Sequence, residues 1–144
     1  MLKLKVLAFA LLISIVPASA KPLKVLAAEN FYGDIARQIG GADIEVKSIL
    51  SNPDQDPHLF EASPSVARSI AEADIVISNG VDYDPWMEKL LAATPSTKRK
   101  VIVAGEVAAR KSGENPHLWY DLAVSKAVAK ALAENLAQAM PEKA

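Results

Sequence analysis

The sequence predicts an α/β fold, with a four-stranded parallel sheet flanked by helices and a long helix at the C-terminal end. Two observations carry this prediction. Four short apolar runs are bounded by turn residues, as buried strands are, and a segment with helical spacing of its apolar residues follows each run. Such alternation along a chain is typical of βα units, whose crossovers make neighbouring strands parallel.

The first half of the chain contains two of the predicted strands. Leu23–Ala28 is a short apolar run typical of a buried strand, and the helix after it ends at Gly40-Gly41. Asp43–Leu50 alternates apolar with charged residues, which predicts a half-buried strand near the sheet edge. After a loop rich in proline and aspartate, Ser63 and Pro64 provide the N-cap and the first position of a second helix.

The second half repeats this order. Asp74–Ser78 predicts a third strand, and Asp84-Pro85 has the same cap-then-proline order at the start of a third helix. Lys100–Ala104 predicts the fourth strand. A polar stretch then leads to a long helix from about Asp121 to Met140, in which apolar residues recur with a strict period of four. These residues are Val124, Val128, Leu132, Leu136 and Met140.

Residues 1–20 are typical of a cleavable signal peptide. Lys3 and Lys5 form a basic start, an apolar run follows from Val6 to Val16, and Ala18-Ser19-Ala20 matches an A-x-A cleavage signature. The apolar run is about half of the ~20 residues that a membrane-spanning helix needs. We therefore expect export with cleavage after Ala20. Since no later segment is apolar enough to span a bilayer, we expect a soluble protein that is not membrane-embedded.

Composition argues against several classes of protein. The 144 residues are 51% hydrophobic and carry a formal charge of −1. The balanced charge argues against a nucleic-acid partner, and the apolar fraction argues against disorder. The absence of cysteine excludes disulfides, thiolate zinc sites, thiol nucleophiles and a cysteine-linked lipid anchor. With two histidines in total, any histidine site must be very small or must borrow ligands.

The two histidines are predicted to lie at the same end of the sheet. His58 follows the second predicted strand and His117 follows the fourth, and ligands of parallel α/β sheets bind outside the carboxyl ends of the strands. Each is preceded by proline, in Asp56-Pro57-His58 and Asn115-Pro116-His117, and proline stiffens the backbone that carries the imidazole. A stiff ligand loses less freedom on binding, so the pattern favours a small metal site.

Other interpretations of these residues stay open from sequence alone. The two loop histidines can be unrelated surface residues, and a histidine base of a hydrolase would lack an elbow serine. Asp54 and Asp56 either orient the imidazole of His58 or shape its turn. Asp82 and Asp84 have the character of turn and cap residues first, and of ligands second.

Two longer motifs carry a family resemblance. The stretch DQDPHLFEASPSVARSIAEADIVISNGVDYDPWMEKLL, followed by NPHLWYD and a long helix, resembles the periplasmic metal-binding solute-binding proteins of zinc and manganese ABC transporters. The resemblance begins at the signal peptide and first strand and reaches the end of the chain. Such proteins have two α/β lobes joined by one long helix, with a metal ion buried between the lobes.

The resemblance implies how the chain is divided and what it binds. Residues 1–20 would be the signal peptide, 21–119 an N-terminal metal-binding lobe and 120–144 the long interlobe-type helix, with the C-terminal lobe absent. His58 and His117 would be the two metal ligands of the N-terminal lobe. The implied cargo is Zn²⁺, with Mn²⁺ or Fe²⁺ as alternatives, captured in the periplasm and delivered to an inner-membrane ABC permease.

The resemblance implies a binding protein and no enzyme activity. It also implies a truncated chain, in which two imidazoles leave the coordination sphere of a zinc ion half filled. The alternatives are an exported α/β hydrolase fragment, or a metal-dependent adhesin or scavenger with no transporter.

Overall fold

The computed structural model describes residues 21–52 and 54–143. The predicted signal peptide, residues 1–20, lies outside the described residues. The described part contains a sheet of four parallel strands in the order β2-β1-β3-β4, flanked by helices, which confirms the predicted α/β fold. As its alternating pattern predicts, β2 lies at an edge. The strands are β1 (Leu23–Glu29), β2 (Ile44–Leu50), β3 (Ile75–Ser78) and β4 (Lys100–Val103).

Five α-helices accompany the strands in the described part of the chain. They are α1 (Asn30–Gly40), α2 (Pro64–Glu72), α3 (Pro85–Ala93), α4 (Ala104–Val107) and α5 (Leu122–Ala139). One face of the sheet packs against α1 and α5, and the other packs against α2 and α3. The sequence did not predict α4, because four residues are too few to show a helical period. None of the helices described is long and apolar enough to cross a bilayer.

Residues along β1 alternate between the two cores. Val25 and Ala27 pack with α1 and α5, whereas Leu26 and Ala28 pack with α2 and α3. Successive side chains of a strand point to opposite faces, so a central strand covered on both faces has an uninterrupted apolar sequence. This explains why residues 25–28 of the predicted strand are all apolar.

The final helix, α5, contributes its apolar stripe to the core. Asp121 Oδ1 accepts the backbone N–H of Ala123 at 2.8 Å and caps the start of the helix. The side chains at the predicted four-residue spacing belong to the same core as residues of α1 and the sheet, and Met140 lies half-buried just beyond the helix. The buried members are Val124, Val128, Leu132 and Leu136.

Asp84 stands at the start of α3 but does not cap it. Its carboxylate oxygens accept the backbone N–H groups of Asn79 and Gly80, at the end of β3, each at 2.8 Å. The predicted helix start at Pro85 is confirmed, whereas the side-chain cap expected of Asp84 is not formed. The buried N–H groups at the strand end take the carboxylate instead, because buried donors without a partner are costly.

The chain between Asn79 and Asp84 turns through three consecutive residues with positive φ. The angles are 71° at Gly80, 52° at Val81 and 62° at Asp82. Glycine adopts this region freely, but a β-branched residue such as valine does so at a cost of about 1–3 kcal/mol. The turn therefore depends on surrounding contacts, including the hydrogen bonds to Asp84.

Two carboxyl groups are buried together where β1 and β3 end. Glu29 and Asp84 are each 2% exposed. Burial, and next the charge of Asp84, raises the pKa of Glu29 well above its ordinary value. Burial also raises the pKa of Asp84, although the N–H groups of Asn79 and Gly80 oppose that shift. Of the two carboxyl groups, Glu29 is the one whose neutral form burial favours most, and neither of its side-chain oxygens has a hydrogen-bond partner in the described part of the chain.

Truncating the buried stripe of α5 tests the core. Leu132→Ala removes a side chain that is 0% exposed, and such a cavity should lower the free energy of unfolding by about 2–5 kcal/mol. Leu122→Ala makes the same change on the same helix at a side chain that is 74% exposed. It should cost less than about 0.5 kcal/mol. Urea unfolding measures both, and equal costs would contradict the assignment of the buried face.

Replacing Glu29 tests the buried proton. Glutamine has nearly the shape of protonated glutamate and donates an N–H without a titrating proton. Because the folded pKa is raised, the stability that protonated Glu29 contributes is full below about pH 4.3, the unfolded value, and is lost as the pH rises through the folded pKa. Glu29→Gln should therefore gain stability relative to the wild type as the pH rises from about 5 toward the folded pKa of Glu29, measured by urea unfolding with chelator present.

Glu72→Gln is the matched control for this pH dependence. Glu72 is exposed, and its hydrogen bond to Lys24 lowers its pKa. The carboxylate is therefore ionised in both folded and unfolded protein over the same pH interval, and the stability difference from the wild type should stay flat. A flat difference for Glu29→Gln as well would show that Glu29 is ionised in the folded protein.

Candidate metal centre

The two histidine loops lie at the carboxyl end of the sheet, over its switch point. The chain crosses from β1 to β2 on one side and from β3 to β4 on the other, so the switch point lies between the ends of β1 and β3. Glu29 ends β1, and Asn79 directly follows β3. Open α/β sheets bind ligands at this position, which is the end of the sheet that the histidine positions predict.

His58 is carried by a tight turn whose backbone is hydrogen-bonded on two sides. Asp56 Oδ1 accepts the backbone N–H of His58 at 2.8 Å, at the start of a short 3-10 turn over Pro57–Leu59. Trp86 Nε1 donates to the carbonyl oxygen of Pro57 at 3.1 Å. Of the two interpretations of Asp56, the structure therefore supports the one in which it shapes the turn.

His117 is carried by a second turn of the same kind. Asn115 Oδ1 accepts the backbone N–H of His117 at 3.0 Å and lies 2.7 Å from the ring Nδ1. Because an amide oxygen only accepts, Nδ1 is the donor in this contact, and the neutral tautomer with hydrogen on Nδ1 has its lone pair on Nε2. Asn79 Nδ2 donates to the carbonyl oxygen of Pro116 at 3.0 Å.

The ring of Tyr83 contacts both imidazoles. Its centroid lies 5.5 Å from that of His58 and 6.0 Å from that of His117, and both contacts are edge-to-face. Burial raises the pKa of the Tyr83 hydroxyl, which therefore stays protonated at neutral pH. Trp119 packs against Tyr83 and His117 at centroid distances of 4.9 and 5.3 Å. Aromatic side chains thus pack against both imidazoles.

The structure places both predicted ligand residues, His58 and His117, against the side chain of Tyr83. Their role as metal ligands stays a prediction. Both His58 and His117 are exposed to solvent. Across residues 21–52 and 54–143, no group of three or more His, Cys, Asp or Glu side chains is placed to hold a metal ion. The described centre therefore offers two imidazoles, which are ligands suited to zinc and iron.

Three residues that hold these loops were missed by the sequence analysis. Asn79, Tyr83 and Trp86 all come from the short connection between β3 and α3 and the first turn of that helix. The sequence did contain a signal for these residues, because this connection also begins at the carboxyl end of a predicted strand. The rule that selected the two histidines would have selected it too.

Asp82 links the turn after β3 to the loop that precedes His117. Its Oδ2 accepts the hydroxyl of Ser112 and the backbone N–H of Gly113, the latter at 3.3 Å. The expected role of a turn residue fits this position, since its φ is positive.

The family model for zinc-uptake complex component A, periplasmic (ZnuA), matches residues 25–144. The manganese ABC transporter substrate-binding lipoprotein PsaA of Streptococcus mitis is 30% identical over 137 residues, covering 86% of this chain and 44% of the relative. The iron ABC transporter substrate-binding lipoprotein MtsA of Streptococcus pyogenes serotype M1 is 29% identical over 132 residues, covering 83% and 42%.

Solved structures share the fold of this chain. The periplasmic zinc-binding protein TroA of Treponema pallidum aligns with a TM-score of 0.72 and 25% identity, over 86% of this chain and 46% of that chain. Zn(II)-bound AdcA of Streptococcus pneumoniae, at 19% identity and a TM-score of 0.70, shares the fold. This chain spans less than half the length of these relatives. Since the family model matches nearly all of it, the chain belongs to the family of periplasmic zinc-uptake complex component A.

Proposed function

We propose that this chain binds a divalent metal ion, Zn²⁺ first and Mn²⁺ or Fe²⁺ as alternatives, as part of the solute-binding protein of an ABC transporter. The observation that carries the proposal is the pair of Asx-Pro-His turns (Asx being Asp or Asn) whose imidazoles contact one tyrosine ring at the carboxyl end of the sheet. Family membership supports it, since relatives are named for manganese, iron and zinc.

His58 and His117 are the proposed ligands, and the proposal assigns no catalytic residue. A metal ion binds the lone pair of a neutral imidazole, and the Asn115 contact leaves that lone pair on Nε2 of His117. A hydrogen bond to the second ring nitrogen also fixes the orientation of a metal-bound imidazole. A tetrahedral zinc ion needs two further ligands, which are water or groups from outside the described residues.

The proposal extends to the division of the chain and its location. Residues 1–20 act as a signal peptide that is cleaved after Ala20, 21–119 form the metal-binding lobe and 120–144 the linking helix. The basic start, apolar run and A-x-A site support export to the periplasm. The 18-residue length of α5 and its packing against the sheet support its role as a stiff connector. The bound ion is then handed to an ABC permease in the inner membrane.

Replacing the histidines tests the ligand assignment. His58→Ala and His117→Ala should each weaken zinc binding at least about tenfold, equivalent to about 1.4 kcal/mol, because each removes one of two imidazole ligands. The double variant should bind no zinc at this centre. Isothermal titration with zinc at neutral pH measures these affinities.

Leu59→Ala is the matched control for the histidine variants. Leu59 is the neighbour of His58 and is 78% exposed, so its truncation alters the same loop without removing a nitrogen ligand. Its zinc affinity should equal that of the wild type. If the double histidine variant also keeps wild-type affinity, zinc binds elsewhere and the proposal is wrong.

Metal preference gives a second test of the imidazole ligands. Nitrogen sites bind first-row divalent ions in the order Mn²⁺ < Fe²⁺ < Zn²⁺, so zinc should bind at least about tenfold more tightly than manganese. Competition followed by the electron paramagnetic resonance of free Mn²⁺ gives the ratio. Equal affinities would indicate a site built from oxygen ligands instead.

A further inference from the structure

The peptide group that precedes each histidine is hydrogen-bonded both at its N–H and at its carbonyl oxygen. In the Pro57–His58 peptide, the N–H is bound by Asp56 and the carbonyl oxygen by Trp86 Nε1. In the Pro116–His117 peptide, the N–H is bound by Asn115. Its carbonyl oxygen accepts Asn79 Nδ2 at 3.0 Å and the backbone N–H of Leu118 at 2.8 Å. A peptide plane bonded on both edges cannot rotate freely, which fixes the direction of the following side chain.

Both carbonyl donors come from one short stretch, which we call the Asn79–Trp86 segment. Asn79 is 0% exposed, and its own Oδ1 accepts the Tyr32 hydroxyl at 2.7 Å, so its amide has one defined orientation. The indole of Trp86 is buried and packs against the ring of Phe60 at a centroid distance of 4.4 Å. Contacts other than these two carbonyl hydrogen bonds therefore hold each donor in place.

The backbone of the segment sets the spacing between the two donors. Its turn has positive φ at three residues, one of them Val81, and such strained positions persist only where the surroundings determine them. Those surroundings are the Asp84 carboxylate on one side and the Asp82 bonds to Ser112 and Gly113 on the other. Strained backbone of this kind clusters at functional sites.

We propose that the Asn79–Trp86 segment is the positioning element of the metal centre, with Asn79 positioning His117 and Trp86 positioning His58. Neither residue is a ligand. Through this segment, a single rigid connection orients two loops that are distant in sequence. The consequence for metal affinity rests on the proposed function, whereas the consequence for the two imidazoles holds in the metal-free protein.

Two variants and two readouts test this proposal. Trp86→Phe keeps an aromatic ring against Phe60 and removes the N–H that binds Pro57, and Asn79→Ala removes the amide that binds Pro116. The first readout is long-range ¹H–¹⁵N NMR of the imidazoles without metal. The chain has two histidines, so each loop has its own ring signals, which the alanine variants assign. The second readout is zinc affinity.

The expected result is selective for each loop. Trp86→Phe should shift and broaden the His58 ring signals and leave those of His117 in place, and Asn79→Ala should do the reverse. Zinc affinity should fall about tenfold in each, the lower end of the range for residues that orient a metal ligand. Thr94→Val is the control, because it removes a hydrogen bond at the far end of α3, from Thr94 Oγ1 to Leu90, and should change neither readout.

The outcomes separate the two proposals. If Trp86→Phe folds and disturbs both rings equally or neither ring, the positioning role is wrong, and this holds even if Asn79→Ala fails to fold. If the ring signals respond selectively but the wild type binds no zinc, the positioning role stands and the proposed function fails. If zinc binds and both variants keep wild-type affinity, the segment does not position the ligands.

Discussion

The arrangement at the carboxyl end of the sheet depends on the complete hydrogen bonding of one buried residue. Asn79 is where β3 leaves the core, and each polar group of its side chain has a partner: the Tyr32 hydroxyl, the Gly80 carbonyl and the Pro116 carbonyl. Its backbone N–H is bound by Asp84. In a low-dielectric interior, a fully bonded network favours a single arrangement, because every alternative leaves a polar group unpaired. The turn after β3, the Tyr32 hydroxyl and the His117 loop are all bonded directly to this residue.

Most of the fold could be predicted because the spacing of apolar residues reports which face of an element is buried. Val124 to Leu136 at intervals of four reveal a helix, and the uninterrupted run in β1 reveals a central strand. The order of the strands could not be predicted, since pairing of β1 with β3 joins residues that are distant in sequence. Asp84 was misjudged for a related reason: its position fits a cap, but its partners are set by tertiary structure.

The two histidines of the candidate site were predictable because their residue type is informative by itself. Histidine is rare in this chain, so His58 and His117 stood out, and the rule for parallel sheets placed them at one end. Asn79, Tyr83 and Trp86 are residue types that also serve in turns and cores. Their contacts with the two loops join residues far apart in the chain, and sequence spacing carries no trace of them. The ligand role of the histidines stays a prediction.

The positions of the indole rings have an optical consequence. The chain has two tryptophans, and both belong to this centre. Trp86 is bonded to the carbonyl before His58, and Trp119 packs against His117 and stacks on Phe31. Indole emission depends on the immediate surroundings of the ring, and the two indoles of this protein each contact one histidine loop. Each histidine loop therefore has one indole in contact with it, so intrinsic fluorescence can report on either loop without an added label.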